Sequence, residues 1–210
     1  MADRQSTGLA GLDAQLGGGF LPGTAHLLVA EPMNAFDLFC YHFAAGGTRP
    51  GVAKGEGTQY ISTAKDKAEI LAGIRTVGGD PTEVHVEPLT PKGPPAVGKS
   101  RYVLDTLSEY TLTQGWDKAF ARFTELANQA RKSKVLFLAA IVPDLHTPAQ
   151  IARLKLEADG VMELGFDRQG FGLYPYLKVT KMRGVPDSAR FLLFKETERG
   201  LFMESTRRVF

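Results

Sequence analysis

Ala25-His26-Leu27-Leu28-Val29-Ala30, then Glu31-Pro32-Met33-Asn34-Ala35-Phe36-Asp37, then Leu38-Phe39-Cys40-Tyr41-His42-Phe43, is the stretch on which the fold turns. Its first six residues are an apolar run of strand length. Its last six open a helix, with Asn34 placed to cap it and Asp37 in the first turn, where a carboxylate suits the positive end of the helix dipole. A strand passing through a short turn into a helix is where a phosphate-binding loop forms. Such a loop needs glycines so that backbone N–H groups converge on the anion, a lysine for the outer phosphates and a hydroxyl for magnesium. Residues 30 to 37 hold none of these, and Glu31 and Asp37 put carboxylates where a nucleotide would bring its own negative charge.

Outward from this stretch, Gly57 to Ser62 reads as a strand and Lys65 to Val77 as a helix ended by Gly78-Gly79-Asp80-Pro81. Val84 to Glu87 is a short strand, residues 88 to 100 form a Pro/Gly-rich loop, and Tyr102-Val103-Leu104-Asp105 is a buried-type strand ending in an acid. Trp116 to Lys132 repeats apolar residues at helical spacing, and Val135 to Val142 is a continuous apolar strand of the parallel-sheet kind. After a helix over Pro148 to Ala158, strands are expected at Gly160 to Phe166, Leu173 to Lys181, Arg190 to Phe194 and Leu201 to Glu204, with hairpin-length gaps. Strands alternating with helices imply a mostly parallel sheet flanked by helices, here with antiparallel C-terminal strands.

The chain has 210 residues, 43% hydrophobic and 23% charged, which suits one globular domain over residues 1–210 with a substantial core. A net charge of +2 without a sustained basic run gives no electrostatic footprint for nucleic acid on the isolated chain, and Arg207-Arg208 reads as a solvated terminus. Cys40 is the single cysteine, which excludes internal disulfides and cysteine-rich zinc sites, and His26, His42, His85 and His146 lack metal-ligand spacing. No metal is expected. The N-terminus has no signal-peptide core and no window reaches membrane-spanning length, so a cytoplasmic protein without membrane contact is expected.

The approach to the first strand, Ser6-Thr7-Gly8-Leu9-Ala10-Gly11-Leu12-Asp13 through Gly17-Gly18-Gly19-Phe20 to Pro22-Gly23-Thr24, resembles the opening of KaiC-like proteins of the RecA superfamily. The resemblance continues in Arg101 to Glu109, similar to a Walker B strand, in Glu157-Ala158-Asp159-Gly160-Val161, and in Lys181-Met182-Arg183-Gly184. It implies an α/β fold with a RecA-like core. Aligned without gaps, the Walker A glycines become Ala30, Met33 and Ala35, the lysine becomes Phe36 and the hydroxyl becomes Asp37. Glu31, Asn34, Phe36 and Asp37 thus form a degenerate loop, and Asp105 is a vestigial magnesium-side aspartate, open also to a role as N-cap or ion-pair partner. Asp37 and Asp105 should then be neighbours, and two close carboxylates raise one pKa or recruit a cation.

Where the resemblance calls for paired catalytic glutamates, this chain reads Ser62-Thr63-Ala64-Lys65-Asp66. Asp66 or Glu69 could substitute, or simply serve the dipole of the following helix. Gly93 to Ser100 matches the phosphate-loop pattern letter for letter, but a strand follows it instead of a helix and two prolines remove N–H donors, so it reads as a decoy. Ser108 and Ser133 have no nucleophile context. Lys181 and Arg183 have two readings: cations offered across a subunit interface to a neighbour's nucleotide, as the resemblance implies, or partners of Asp187, Glu196 or Glu198.

These readings combine into a non-catalytic KaiC-like protein with no cofactor, acting as a homo- or hetero-oligomer with KaiC- or RecA-like proteins or as a regulatory subunit of an active ATPase. Rival readings are an ATP-binding or ATP-hydrolysing protein with an atypical phosphate loop, for which ATP and magnesium are the disfavoured cofactors, and a DNA-repair accessory or a scaffold like the ATPase-dead RecA-like subunits of Elongator.

Overall fold

The computed structural model describes residues 4–48, 57–89, 99–169, 172–186 and 190–204. Its centre is β1 (Ala25–Ala30), every residue buried, which lies between β5 (Leu136–Ile141) and β6 (Gly160–Gln169) in parallel register. Beyond β5 come β4 (Arg101–Asp105), β2 (Thr58–Ser62) and β3 (Val84–Pro88), all parallel. On the other side β7 (Gly172–Met182), β8 (Arg190–Thr197) and β9 (Gly200–Met203) continue antiparallel from β6. The order is β3-β2-β4-β5-β1-β6-β7-β8-β9, a mixed α/β sheet as expected from the alternation of strands and helices.

Central strands buried on both faces read as unbroken apolar runs because a helical layer covers each face. One core joins the sheet to α1 (Ala10–Gln15), α2 (Asn34–Gly46) and α3 (Lys67–Thr76) through Leu12, Phe39, Phe43, Ile70 and Ile74. The other joins it to α4 (Leu107–Gln114), α5 (Trp116–Ser133) and α6 (Pro148–Glu157) through Tyr110, Phe123, Leu126 and Leu154. α1 and α4 are not marked by the apolar spacing of the sequence. Only Leu12 of α1 is buried, and α4 has a weak apolar stripe, so neither carries a strong helical period.

Three boundaries differ from expectation. Asn34 is the first residue of α2, and the cap position is Met33, which makes no side-chain capping bond. Pro32 precedes that cap, in a turn where residue 33 is extended. The helix expected from Lys65 starts at Lys67, because Asp66 is its N-cap and accepts the Glu69 N–H at 2.8 Å. Thr106, not Asp105, caps α4, accepting the Glu109 N–H at 3.2 Å.

The N-terminal glycine signature is explained by packing. Asp13 accepts hydrogen bonds from the Ser6 hydroxyl (2.5 Å) and the Thr7 N–H (2.6 Å), which folds the segment back onto α1. Gly8 then lies at φ +93° directly against the backbone of α2, where a Cβ would overlap the His42 carbonyl. Neither the torsion nor the space admits a side chain. Gly8→Ala is therefore expected to cost about 3 kcal/mol or more, readable as a fall in the urea midpoint.

His26, the second residue of β1, is buried and stacks on Phe20 with ring centroids 3.9 Å apart. The Thr24 hydroxyl donates to the Leu21 carbonyl (2.6 Å), so it accepts from His26 Nε2–H (2.8 Å), which fixes the neutral tautomer and leaves Nδ1 without a hydrogen-bond partner among the described residues. Burial pushes the imidazole pKa down to about 3, with Asp159 opposing and Arg101 assisting. Because the folded pKa lies below the unfolded value of about 6.5, the unfolded chain binds a proton that the folded one refuses between these limits. Stability should fall as pH drops below about 6.5, and this histidine accounts for up to about 1.4 kcal/mol per pH unit. Urea denaturation of wild type and His26→Gln from pH 7 to pH 4 should show the shallower acid slope in the variant.

Candidate functional site

In open α/β sheets the crevice beyond the carboxyl ends of the strands is the usual binding place. Here the ends of β1, β2 and β4 bring together Asp37, Lys65 and Asp105. Lys65 Nζ lies 2.6 Å from Asp105 Oδ2 and 2.8 Å from Asp37 Oδ1, so one ammonium bridges two carboxylates. Their side chains are 17%, 1% and 38% exposed for Lys65, Asp105 and Asp37. Tyr60, rising from the middle of β2, donates its hydroxyl to the same Asp105 oxygen at 2.7 Å, while Oδ1 is buried without a donor among the described residues. The expected proximity of the two aspartates is present, and the cation between them comes from the chain itself.

Local structure holds this lysine in place. The Ser62 hydroxyl accepts the Lys65 N–H at 2.9 Å, and the Thr63 N–H donates to the Asp105 carbonyl at 2.9 Å. The Thr106 N–H donates to the Thr63 hydroxyl at 3.0 Å, so the β2–α3 turn is tied to the end of β4. Asp66 is committed to the α3 cap, and Lys65, the residue before that cap, reaches inward to Asp105. Burial alone would lower the Lys65 pKa, but Asp105, through charge and hydrogen bond, and then Asp37 hold it above the ordinary lysine value. Burial and Asp105 push the Tyr60 hydroxyl well up, and burial first, then Asp105, does the same to the Cys40 thiol one helical turn beyond Phe36.

The other residues of the β1–α2 turn divide by exposure. Glu31 is exposed, whereas Phe36 is buried in the core, its ring centroid 5.9 Å from Lys65 Nζ. Asn34 contributes its backbone to the first turn of α2. Glu69, whose N–H is taken by the Asp66 cap, is exposed in the first turn of α3. Residues 93–98 of the phosphate-loop look-alike lie outside the described residues, and its last two residues lead straight into β4, a strand.

A second cluster forms where β6 begins. Asp159 accepts the Ala25 N–H (3.0 Å), Arg131 Nε (3.1 Å) and Arg183 Nη1 (3.3 Å). Burial would raise its pKa, yet these donors hold the carboxyl below the usual range. Lys181 Nζ donates to the carbonyls of Lys155 and Leu156, each at 3.1 Å, and so caps the C-terminal end of α6. Arg183 therefore pairs with Asp159, in place of the expected Glu196 or Glu198; Asp187 lies outside the described residues. An open cavity of about 600 Å³ is lined by Arg131, Asp159, Thr180, Lys181 and Arg183 among others. Arg4 ties the N-terminal segment to the turn after β7, donating to the carbonyls of Gly19 (2.8 Å) and Gly184 (2.6 Å).

Ser108 has a partner that its sequence context does not show. Its hydroxyl is 2.8 Å from His146 Nε2 and accepts the Val142 N–H at 2.8 Å. Ser108 is fully buried, so the contact ties α4 to the end of β5 and exposes no nucleophile. Among the described residues no group of three or more His, Cys, Asp or Glu side chains could hold a metal ion, and no helix is long and apolar enough to cross a membrane.

This topology and crevice define the RecA-like fold of KaiC-like proteins. A KaiC-like protein from the hyperthermophilic archaeon Pyrococcus horikoshii OT3 superposes with a TM-score of 0.80 over 98% of this chain and 100% of its own, at 17% sequence identity. The chain belongs to a family of unknown function (DUF7125), whose model matches residues 4–195. No curated protein matches it.

If Lys65 neutralises a buried carboxylate, removing its charge strands Asp105 in the core. Lys65→Met should cost about 2 to 4 kcal/mol in urea denaturation, below the full range for buried pairs because Asp37 is partly solvated. Adding Asp105→Asn should restore part of the loss, giving a coupling energy of about 1 kcal/mol or more in a double-mutant cycle.

Proposed function

We propose that this chain is a KaiC-like protein whose own nucleotide site is closed, and that it works by association, as an oligomer or as a regulatory partner of an active ATPase. The observation that carries the reading is the position of Lys65 Nζ, 2.6 Å from Asp105 and 2.8 Å from Asp37. By the gapless alignment these two carboxylates stand at the hydroxyl and aspartate positions that flank magnesium in a phosphate loop. A fixed ammonium between them takes the place and part of the charge that a divalent ion would need. The rest of the degenerate loop agrees: Phe36, at the lysine position, turns into the core, and Glu31 faces outward with a negative charge. That the described strands all join one sheet supports reading residues 1–210 as a single domain.

Association is supported by the persistence of the Lys181-Met182-Arg183-Gly184 element in a chain with no phosphate of its own to meet. Arg183 has a side chain 62% exposed and lines the open cavity beside Asp159, where a neighbour could engage it. Lys181 is exposed too, although the end of α6 holds it in the single chain.

Calorimetric titration of the purified chain with ATP and magnesium should give no binding heat, and Lys65→Ala should not restore it, because the glycines, lysine and hydroxyl of the loop are absent as well. A low-micromolar dissociation constant for the wild type would overturn the closed-site reading.

A further inference from the structure

The sheet face covered by α4, α5 and α6 loses that cover beyond β6, and α1 and α2 reach β9 on the opposite side. The strand register fixes which side chains the bare face carries. Leu177 pairs with Leu192, both buried, so the neighbouring pairs Tyr176–Leu193 and Lys178–Phe191 point outward. Tyr174 on β7 and Phe202 on β9 share that face, and Tyr174, Phe191 and Phe202 are 45%, 40% and 62% exposed. Apolar area gathered in one place in this way marks an interaction surface.

Glycine keeps this face level. A Cβ on Gly165 would collide with the Tyr176 ring directly across the β6–β7 pair, so the ring lies down over bare backbone. Phe191 stacks on that ring at 4.5 Å between centroids and 28° between planes. Rings laid against a sheet leave no upright side chain to insert into a groove, and a level sheet is matched by another sheet packed face to face. Four strands about 4.8 Å apart give the face a width of about 19 Å, which puts the area two such faces bury at the low end of specific interfaces, where association is reversible.

The charges indicate which sheet. Lys178 stands opposite Glu163, which Lys155 also holds, and Lys195 is paired with Glu204 at 2.7 Å. Lys155, Lys178 and Lys195 offset Glu163, Asp167 and Glu204, so the face has no net sign to draw a polyion of either charge. It does match itself. A two-fold axis lying between β7 and β8 and parallel to them lays β7 of one copy on β8 of the other. Lys178 then comes over Phe191 of the second copy and Tyr176 over its Leu193, and each contact occurs twice. A cation over a ring and an aliphatic side chain against a ring are both favourable pairings. Tyr176, Phe191 and Leu193 hold the centre and the three acids lie toward the flanks, the apolar core and polar rim of a protein interface.

We propose that the outer face of β6 to β9 is a self-association surface on which a second copy of this chain packs about a two-fold axis, with Lys178 of each copy over Phe191 of the other. The proposal rests on the reading that the chain works by association and names a surface for it. The test is sedimentation equilibrium of the full-length chain over a range of concentrations. The wild type should pass reversibly from monomer to dimer with a dissociation constant of about 1 to 100 μM. Phe191→Lys sets two ammonium groups against each other across the axis and should weaken the dimer about tenfold or more. Mixing Phe191→Lys chains with Lys178→Glu chains should restore it, because the mixed pair gains an ion pair and keeps one native contact; an effect confined to one chain would not respond to mixing. Phe202→Ser, at an exposed residue of the edge strand, should weaken the dimer in the same direction, and Leu112→Ala, at an exposed leucine of α4, should leave it unchanged. A wild type that stays monomeric up to about 1 mM gives the face to another occupant and overturns the proposal. So does a mixture that fails to restore the dimer. An oligomer that survives both Phe191→Lys and Phe202→Ser overturns this surface while leaving association itself in place.

Discussion

A carboxylate sealed inside a protein must find a positive partner, and in this molecule much of the crevice is arranged around that need. Asp105 is 2% exposed at the end of a central strand. Leaving such a group ionised without compensation is far costlier than any single packing contact in the surrounding core. Tyr60 supplies a hydrogen bond and Lys65 a charge, both from β2 and the turn that follows it. The Ser62, Thr63 and Asp66 contacts that shape that turn are in this sense supports for a counter-ion. They bring the lysine to a fixed place instead of letting it explore solvent, and Asp37 draws it further toward α2.

The second ionic cluster shows the same logic used for architecture. Asp159 sits where α6 hands over to β6, receives the first N–H of β1 and is held by Arg131 from α5 and Arg183 from the turn after β7. Four elements distant in sequence are registered by one side chain. Because it accepts several donors at once, its charged form is favoured despite its partial burial. Lys181 attends to the exposed carbonyls of α6 beside it, the ordinary service of a cation at a helix C-terminus.

How much of this could be read from the chain depended on the range of the interaction. β1, β5 and α5 announce themselves because their periodicity is set by burial on one or two faces, a local consequence of the global fold. α1 and α4 escaped because each buries too little on one side to leave a period. Asn34 looked like a cap by residue type, but the extended residue at the helix entry is Met33. At the site, the closeness of Asp37 and Asp105 followed from resemblance, and the need for a cation followed from their charges. The identity of that cation did not, since Lys65 is separated from Asp37 by most of α2 and β2. The available signal was a lysine standing where the resemblance leads one to look for acids. The clasp of Asp159, and the bond between Ser108 and His146, lie beyond any pattern in one sequence, because they join positions tens of residues apart.

Lys65 lies outside the β1–α2 turn, so the ammonium that holds Asp37 and Asp105 is supplied by a separate segment of the chain. Loss of the lysine alone strands a buried charge at the end of β4. Positions 65 and 105 are thereby coupled: a substitution at either one is best tolerated with a compensating change at the other, a constraint that acts on a pair of residues and not on single sites.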